Sequence, residues 1–297
     1  LSEFYSLETF RRNVATPKFC YIIDFVAYHF QMIKLISIFL SLLLVFGWTT
    51  PVMAQTQTIT PEELQAGDEL ATKAFAATNQ GDFVTAEAYW TEIIEKFPTN
   101  AGAWSNRGNS RVSQNKLAAA LTDYNKAVEL APNVTDPYLN RGTALEGLGR
   151  WEEAIADYDH VLELDPKDAM AYNNRGNAKS GLGQWQEAIL DYQKATEIAP
   201  NFSFARANYA LALYETNQID KAIREMRNIV RKYPRFADMR AALTAAYWVT
   251  GNKGEAESNW VAAYGLDIRY KDMNWVKNIR RWPPSMVAAL DKFLNLQ

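Results

Sequence analysis

From residue 67 to residue 270 the apolar positions recur with a helical period. Ala154, Tyr158 and Val161 stand at i, i+4 and i+7, and so do Ala188, Tyr192 and Ala195. That spacing puts three side chains on one face of an α-helix. Charged and polar residues fill the positions between them, so each stretch predicts an amphipathic helix with one buried face. A second, less apolar helix precedes each of these, and a glycine or asparagine separates the two. The segments "WSNRGN", "YLNRGT" and "YNNRGN" begin at Trp104, Tyr138 and Tyr172, 34 residues apart each time.

With 34 as the period, residues 67–270 divide without a gap into six units, 67–100, 101–134, 135–168, 169–202, 203–236 and 237–270. Position 15 holds Gly81, Asn115, Gly149, Gly183, Asn217 and Gly251, the residue types that let a helix end in the left-handed conformation and the chain reverse. Position 20 is alanine throughout, from Ala86 to Ala256, which permits a close helix–helix approach. Position 24 is bulky: Trp90, Tyr124, Tyr158, Tyr192, Met226 and Trp260. Position 8 is small: Ala74, Gly108, Gly142, Gly176, Ala210 and Thr244. Pro98, Pro132, Pro166, Pro200 and Pro234 at position 32 stop each second helix.

These columns resemble the tetratricopeptide repeat, with an aromatic at position 4, Gly or Ala at 8, Ala at 20, an aromatic at 24, Ala at 27 and Pro at 32. Units two, three and four match best; unit one lacks the aromatic at position 4, and units five and six drift. The resemblance covers 204 of 297 residues. It implies an all-α solenoid of six antiparallel helix pairs, wound into a right-handed superhelix with a concave groove. Beyond it, residues 271–297 predict a C-terminal capping region, with Val287, Leu290 and Leu294 on one face of a last helix after Pro283-Pro284. Before it, "TPEE" at 60–63 is a capping box that starts the first helix within the 55–66 segment. The ending "RRWPPSMVAALDKFL" also resembles exported repeat proteins of cyanobacteria and their lumenal relatives in chloroplasts.

Position 7 is Arg107, Arg141 and Arg175, and position 23 is Asp123, Asp157 and Asp191; the arginine and the aspartate are both present in units two to four and both absent in units one, five and six. That co-occurrence predicts a structural ion pair within each unit, since a half-buried arginine needs an acceptor. In tetratricopeptide arrays the groove is lined by positions 2, 5, 6, 9, 12 and 13. Position 6 is Asn106, Asn140, Asn174 and Asn208, with Asn109 and Asn177 at position 9. An amide both donates and accepts, so this ladder fits an extended peptide backbone; the same asparagines equally suit a role in joining neighbouring units. A clamp for a terminal carboxylate is excluded, because positions 5, 12 and 13 of units two to four carry no Lys or Arg. Units five and six offer Phe204, Leu211, Tyr214 and Trp248 as an apolar patch.

Composition narrows the function further. One cysteine, Cys20, and two histidines, His29 and His160, build no metal site of zinc spacing. A net charge of −3 argues against nucleic acid as partner. No nucleophile–base arrangement or phosphate-cradling loop occurs, so neither catalysis, a cofactor nor a small-molecule substrate is expected. Charge is uneven: residues 62–220 carry 13 Lys/Arg against 24 Asp/Glu, and residues 221–281 carry 13 against 6. Arg224, Arg227 and Arg231 share a helix face, and Lys277, Arg280 and Arg281 follow beside Trp275 and Trp282. This basic end is a candidate docking surface for an anionic membrane or an acidic partner.

The N-terminal stretch "MIKLISIFLSLLLVFGWTTPVMAQ" from Met32 has the layout of a secretory signal peptide over residues 32–54, with Val52 and Ala54 at the −3 and −1 positions of a cleavage site. The alternative is a retained N-terminal anchor, but the apolar run Leu35–Trp48 is short against the ~20 residues that a bilayer core needs. Residues 1–31 contain no methionine and read as neither a targeting signal nor a foldable unit, so a start at Met32 is expected. The resulting expectation is a non-catalytic scaffold in an exported compartment, periplasm or thylakoid lumen. It would bind a protein or peptide in its groove, for example during assembly or maintenance of a membrane (e.g. photosynthetic) complex. The alternative expectation is a structural protein docked on a membrane surface through the basic end.

Overall fold

The computed structural model describes residues 59–295. The proposed upstream segment, signal peptide and cleavage site lie outside the described residues. The described chain is helical: α1 (Pro61–Asn79), α2 (Phe83–Lys96), α3 (Ala101–Ser113), α4 (Leu117–Leu130), α5 (Thr135–Gly147), α6 (Trp151–Leu164), α7 (Ala169–Gly181), α8 (Trp185–Ile198), α9 (Ser203–Glu215), α10 (Ile219–Lys232), α11 (Ala237–Val249) and α12 (Lys253–Leu266). A 3-10 turn (Ile268–Lys271), a π-helical turn (Trp275–Ile279) and α13 (Pro284–Leu294) complete it. Among the described residues no helix is long and apolar enough to cross a membrane.

Local chemistry sets these boundaries. Thr60 and Glu63 cap α1 reciprocally, with Glu63 N–H donating to Thr60 Oγ1 at 3.2 Å and Thr60 N–H to Glu63 Oε2 at 2.8 Å. Every turn inside a pair has its position-15 residue at positive φ, from 59° at Asn115 to 83° at Gly251. Each of the first five second helices ends with a cap residue immediately before the position-32 proline, as at Phe97 and Ala131. At position 8 the glycines are required by contact. A Cβ on Gly108, Gly142 or Gly176 would lie 2.6–2.7 Å from the ring of Tyr124, Tyr158 or Tyr192 across the pair. Ala at 20 and the ring at 24 are buried beside them.

Consecutive first helices, α3 with α5, α5 with α7, α7 with α9 and α9 with α11, touch one another, whereas no comparable contact links consecutive second helices. The array therefore curves with its first helices on the inner side. The C-terminal region departs from the expected end cap. Rather than sealing the far face of α12, α13 packs on α11 and on α9, which places it across the inner side of the last two units.

Candidate functional site: the inner face and its C-terminal occupant

In the central units the arginines are held as bidentate pairs. Arg107 donates to Asp123 at 2.6 and 3.1 Å, Arg141 to Asp157 at 2.5 and 2.9 Å, and Arg175 to Asp191 at 2.6 and 2.9 Å. The three aspartates are buried, so two charge-assisted bonds and a fixed guanidinium plane offset their desolvation. Each guanidinium also reaches back across the junction, to Thr91, Asn125 and Asp159 of the preceding unit. It lies over its own unit's position-4 ring as well, Trp104, Tyr138 or Tyr172, at 4.8–5.4 Å. This stacking explains why the aromatic and the arginine disappear together in units five and six. Arg111 adds a third bond to Asp123 at 2.8 Å and pairs with Glu87 at 2.8 Å. Burial opposes ionisation of Glu87, but hydrogen bonds from Arg111, Lys116 and Gln114 hold it down to about 2.

Much of the asparagine ladder is engaged inside the fold. Asn109 Oδ1 accepts from Tyr124 Oη at 2.7 Å, and Asn177 Oδ1 from Tyr192 Oη at 3.0 Å. Asn208 Nδ2 donates to both Asn173 and Asn177 at 3.0 Å, joining unit five to unit four. Asn106 is buried. Asn140 and Asn174 are half-buried; Asn140 makes a long 3.4 Å bond to Ser105, and Asn174 accepts from Asn173 at 3.1 Å. These two keep the most hydrogen-bonding capacity toward the inner side.

The patch at units five and six is not open. Tyr214 and Leu211 are buried in one cluster with Met286, Leu290 and Phe293 of α13. Trp248 packs edge-on against Phe293, with centroids 5.2 Å apart. Phe204 alone of that patch stays exposed, on the edge of Phe236 at 5.6 Å.

The basic group divides in the same way. Arg280 is bidentate on buried Asp238, at 2.5 and 2.9 Å, so it is a structural pair and not a free docking cation. Arg281 adopts φ 56° and crosses to unit three, donating to the Glu146 carbonyl at 3.2 Å with its guanidinium 5.3 Å from the Trp151 ring centroid. Lys277 is exposed. Arg224, Arg227 and Arg231 are exposed on α10 beside a cleft of about 500 Å³ that Val230, Leu243 and Tyr247 floor, and they form no ion pair among the described residues.

The residue that organises the C-terminal segment is Asp238, at unit position 2. Besides Arg280 it accepts from Tyr270 Oη at 2.7 Å and from Trp282 Nε1 at 2.9 Å. Sequence reasoning missed it, although it is the one acid of a helix that is mostly alanine and large apolar residues. Glu146, at position 12 of unit three, is a second such residue. It is buried and accepts from Tyr158 Oη at 2.6 Å. Burial pushes its carboxyl up to about 7, against the lowering effects of Tyr158 and of the Arg281 charge.

Models of the tetratricopeptide repeat match residues 108–149, 133–201 and 181–258. No curated protein matches the chain in sequence. Among solved structures, a tetratricopeptide repeat protein from Parabacteroides merdae is 22% identical, with a TM-score of 0.61 over 78% of this chain and 93% of that one. A MamA structure from Desulfovibrio magneticus is 17% identical, with a TM-score of 0.53 over 59% and 96%. The APC/C hetero-tetramer Cut9-Hcn1 is 16% identical, with a TM-score of 0.63 over 77% of this chain and 42% of that one. At such identities these likenesses concern the fold. The repeat matches, the left-handed turn residue in all six pairs and the glycine–tyrosine contacts agree, and the chain belongs to the tetratricopeptide repeat family.

Proposed function

We propose that the protein is a non-catalytic scaffold that holds a peptide segment or partner protein on the inner face of α1, α3, α5 and α7. One observation carries this reading: the same face, farther along, already holds a chain segment. Residues 280–294 lie across α9 and α11 through one backbone bond, from Ser285 N–H to Glu215 at 2.8 Å, through the Asp238 cluster, and through an aromatic anchor, Phe293. A helix that lays its apolar face, here Met286, Leu290 and Phe293, into a groove is a recurring mode of peptide recognition. Among the described residues only Arg281 of that segment reaches the inner side of units one to four, at Glu146 of unit three, and Asn140 and Asn174 supply the amides of that face.

The signal-peptide reading of residues 32–54 puts this scaffold in an exported compartment, periplasm or thylakoid lumen, where assistance to a membrane complex is the finer form of the proposal. Crosslinking of the tagged protein in its native host, with the captured segment then titrated as a synthetic peptide, tests it. Asn140→Ala/Asn174→Ala is expected to weaken peptide binding about tenfold, the worth of one or two hydrogen bonds, with melting unchanged. Equal affinity of variant and parent removes these residues from the site.

Docking of a membrane surface is the second reading, and it rests on Arg224, Arg227 and Arg231, which form no ion pair among the described residues. Co-sedimentation with anionic vesicles, lost at high salt and on reversing these three charges, would support it.

A further inference from the structure

Consecutive second helices splay apart, so the outer side of the array carries a furrow between each two of them, floored by the first helix that intervenes. In units two, three and four the position-7 arginine spans this furrow. It donates to the aspartate at position 23 of its own unit and to position 25 of the unit before, at Thr91, Asn125 or Asp159. The preceding second helix offers acids there as well: position 29 is Glu95, Glu129, Glu163 and Glu197 in units one to four. In the furrow between α2 and α4, Glu87 takes both Arg111 and Lys116 of unit two. The cations of these furrows thus come from the following unit, and they find acceptors within the fold.

Between α10 and α12 the arrangement is inverted. Position 7 is Leu243, the smallest side chain of its column, and position 23 is Asn259, so the spanning cation and its acceptor are both missing. The cations stand on the preceding second helix instead, as Arg224, Arg227 and Arg231 at positions 22, 25 and 29. These positions are exposed in most units; what sets this junction apart is the sign of its charge and the space that the absent arginine leaves. The result is a cleft of about 500 Å³, floored by Leu243, Val230 and Tyr247, with the amides of Asn228 and Asn259 in its walls. Its size lies in the range of ligand clefts, ~300–1,000 Å³. None of the three arginines forms an ion pair among the described residues, and Glu225 on the same helix is taken by Arg206 at 2.9 Å. Like charges three and four residues apart on a helix repel one another, and an anion held among them relieves that repulsion.

We propose that this cleft is a second binding site, on the outer side of the array, for an acidic segment of a protein. Carboxylates of the segment pair with Arg224, Arg227 and Arg231, and an apolar side chain between them seats on Leu243 and Tyr247. A guanidinium matches a carboxylate with two parallel bonds, which the central units already use between Arg141 and Asp157. The same arginines underlie the membrane reading, but a flat lipid surface meets only their tips and leaves the apolar floor and the two amides unused. A chain segment engages all three. The site is independent of the inner-face reading, whose residues lie on the first helices.

Fluorescence anisotropy with the full chain and a labelled Glu-Glu-Leu-Glu-Glu peptide tests this, with Gln-Gln-Leu-Gln-Gln and Glu-Glu-Ser-Glu-Glu as controls. The first peptide is expected to bind with a dissociation constant of about 10–100 µM at about 50 mM salt. The glutamine peptide should bind at least about tenfold more weakly and the serine peptide about fivefold. Arg227→Glu/Arg231→Glu should abolish binding with circular dichroism unchanged, because both side chains are exposed. Asn140→Ala/Asn174→Ala should leave it as it is. No binding of Glu-Glu-Leu-Glu-Glu at about 1 mM overturns the proposal, and so does binding that survives Arg227→Glu/Arg231→Glu. Equal affinity for the serine peptide also overturns it, since a charged surface without an apolar seat would do the same. Capture of phosphatidylglycerol vesicles that Arg227→Glu/Arg231→Glu abolishes, with no peptide bound, replaces it with the membrane reading.

Discussion

In α3 to α8 each first helix is pinned to its partner by an arginine on a buried aspartate, with a tyrosine ring seated on a glycine. In α9 to α12 position 7 holds Tyr209 and Leu243, position 8 Ala210 and Thr244, and position 23 Glu225 and Asn259. The central units thus use a polar lock that repeats every 34 residues. The last two use a continuous apolar core, the largest cluster among the described residues, which takes in Met226, Met239 and the buried side of α13. The helix lengths and the left-handed turn residue are the same in both, so neither depends on the lock. What differs is the inner face. In the central units half-buried Asn140 and Asn174 lie on the first helices, whereas in the last two units the first helices carry Leu211, Tyr214 and Trp248, and the chain's own C-terminal helix lies on them.

Three substitutions separate these regions, in order of expected effect. Asp123→Ala strips the shared acceptor from Arg107 and Arg111, leaving two half-buried cations, and should cost about 3–5 kcal/mol in urea unfolding. A loss under about 1 kcal/mol would show that the central lock is replaceable by packing. Asp238→Asn acts only on the C-terminal region. It weakens the hold on Arg280 and should cost about 2–3 kcal/mol, with early cleavage between residues 267 and 283 in limited proteolysis. Cleavage of the central units instead would contradict the division drawn above.

Glu146 is the residue of unit three that Arg281 of the C-terminal segment reaches, and its effect depends on pH. Its folded carboxyl titrates near 7, above the ordinary carboxylate range. Between those values the native state holds more protons than the unfolded one, so stability declines as pH rises through the interval. Glu146→Gln keeps an acceptor for Tyr158 and removes that decline. It should stabilise by about 1–2 kcal/mol at pH 8 and hardly at all at pH 4. Thermal melts at the two pH values provide the check, and an equal effect at both would mean that Glu146 is not held neutral by burial.

Whatever repeats was legible in the sequence. Gly81, Asn115 and their counterparts announced every reversal, because a left-handed turn tolerates few residue types. Arg141 and Asp157 announced their pairing because both charges come and go together. The C-terminal arrangement was not legible, since its contacts join positions with no period between them: Trp282 to Asp238, Ser285 to Glu215, Arg281 to Glu146. The amphipathic face Val287–Leu290–Leu294 signalled a helix that needs cover but not which surface supplies it. The asparagine ladder had a readable spacing and an ambiguous purpose. Asn109 and Asn177 turned out to serve the tyrosines beneath them, a contact that appears only once Gly108 and Gly176 bring the rings close.

A solenoid ordinarily behaves as a line of neighbours, each unit aware of the next alone, so that its ends fray first. Arg281 changes that topology. It reaches 135 residues back along the chain to the carbonyl of Glu146, in a backbone conformation that costs about 1 kcal/mol for a non-glycine residue. The line from unit three onward thereby becomes a ring closed by a tether. Amide protons from α5 to α13 should exchange as one cooperative block, while α1 to α4, outside the ring, open on their own schedule.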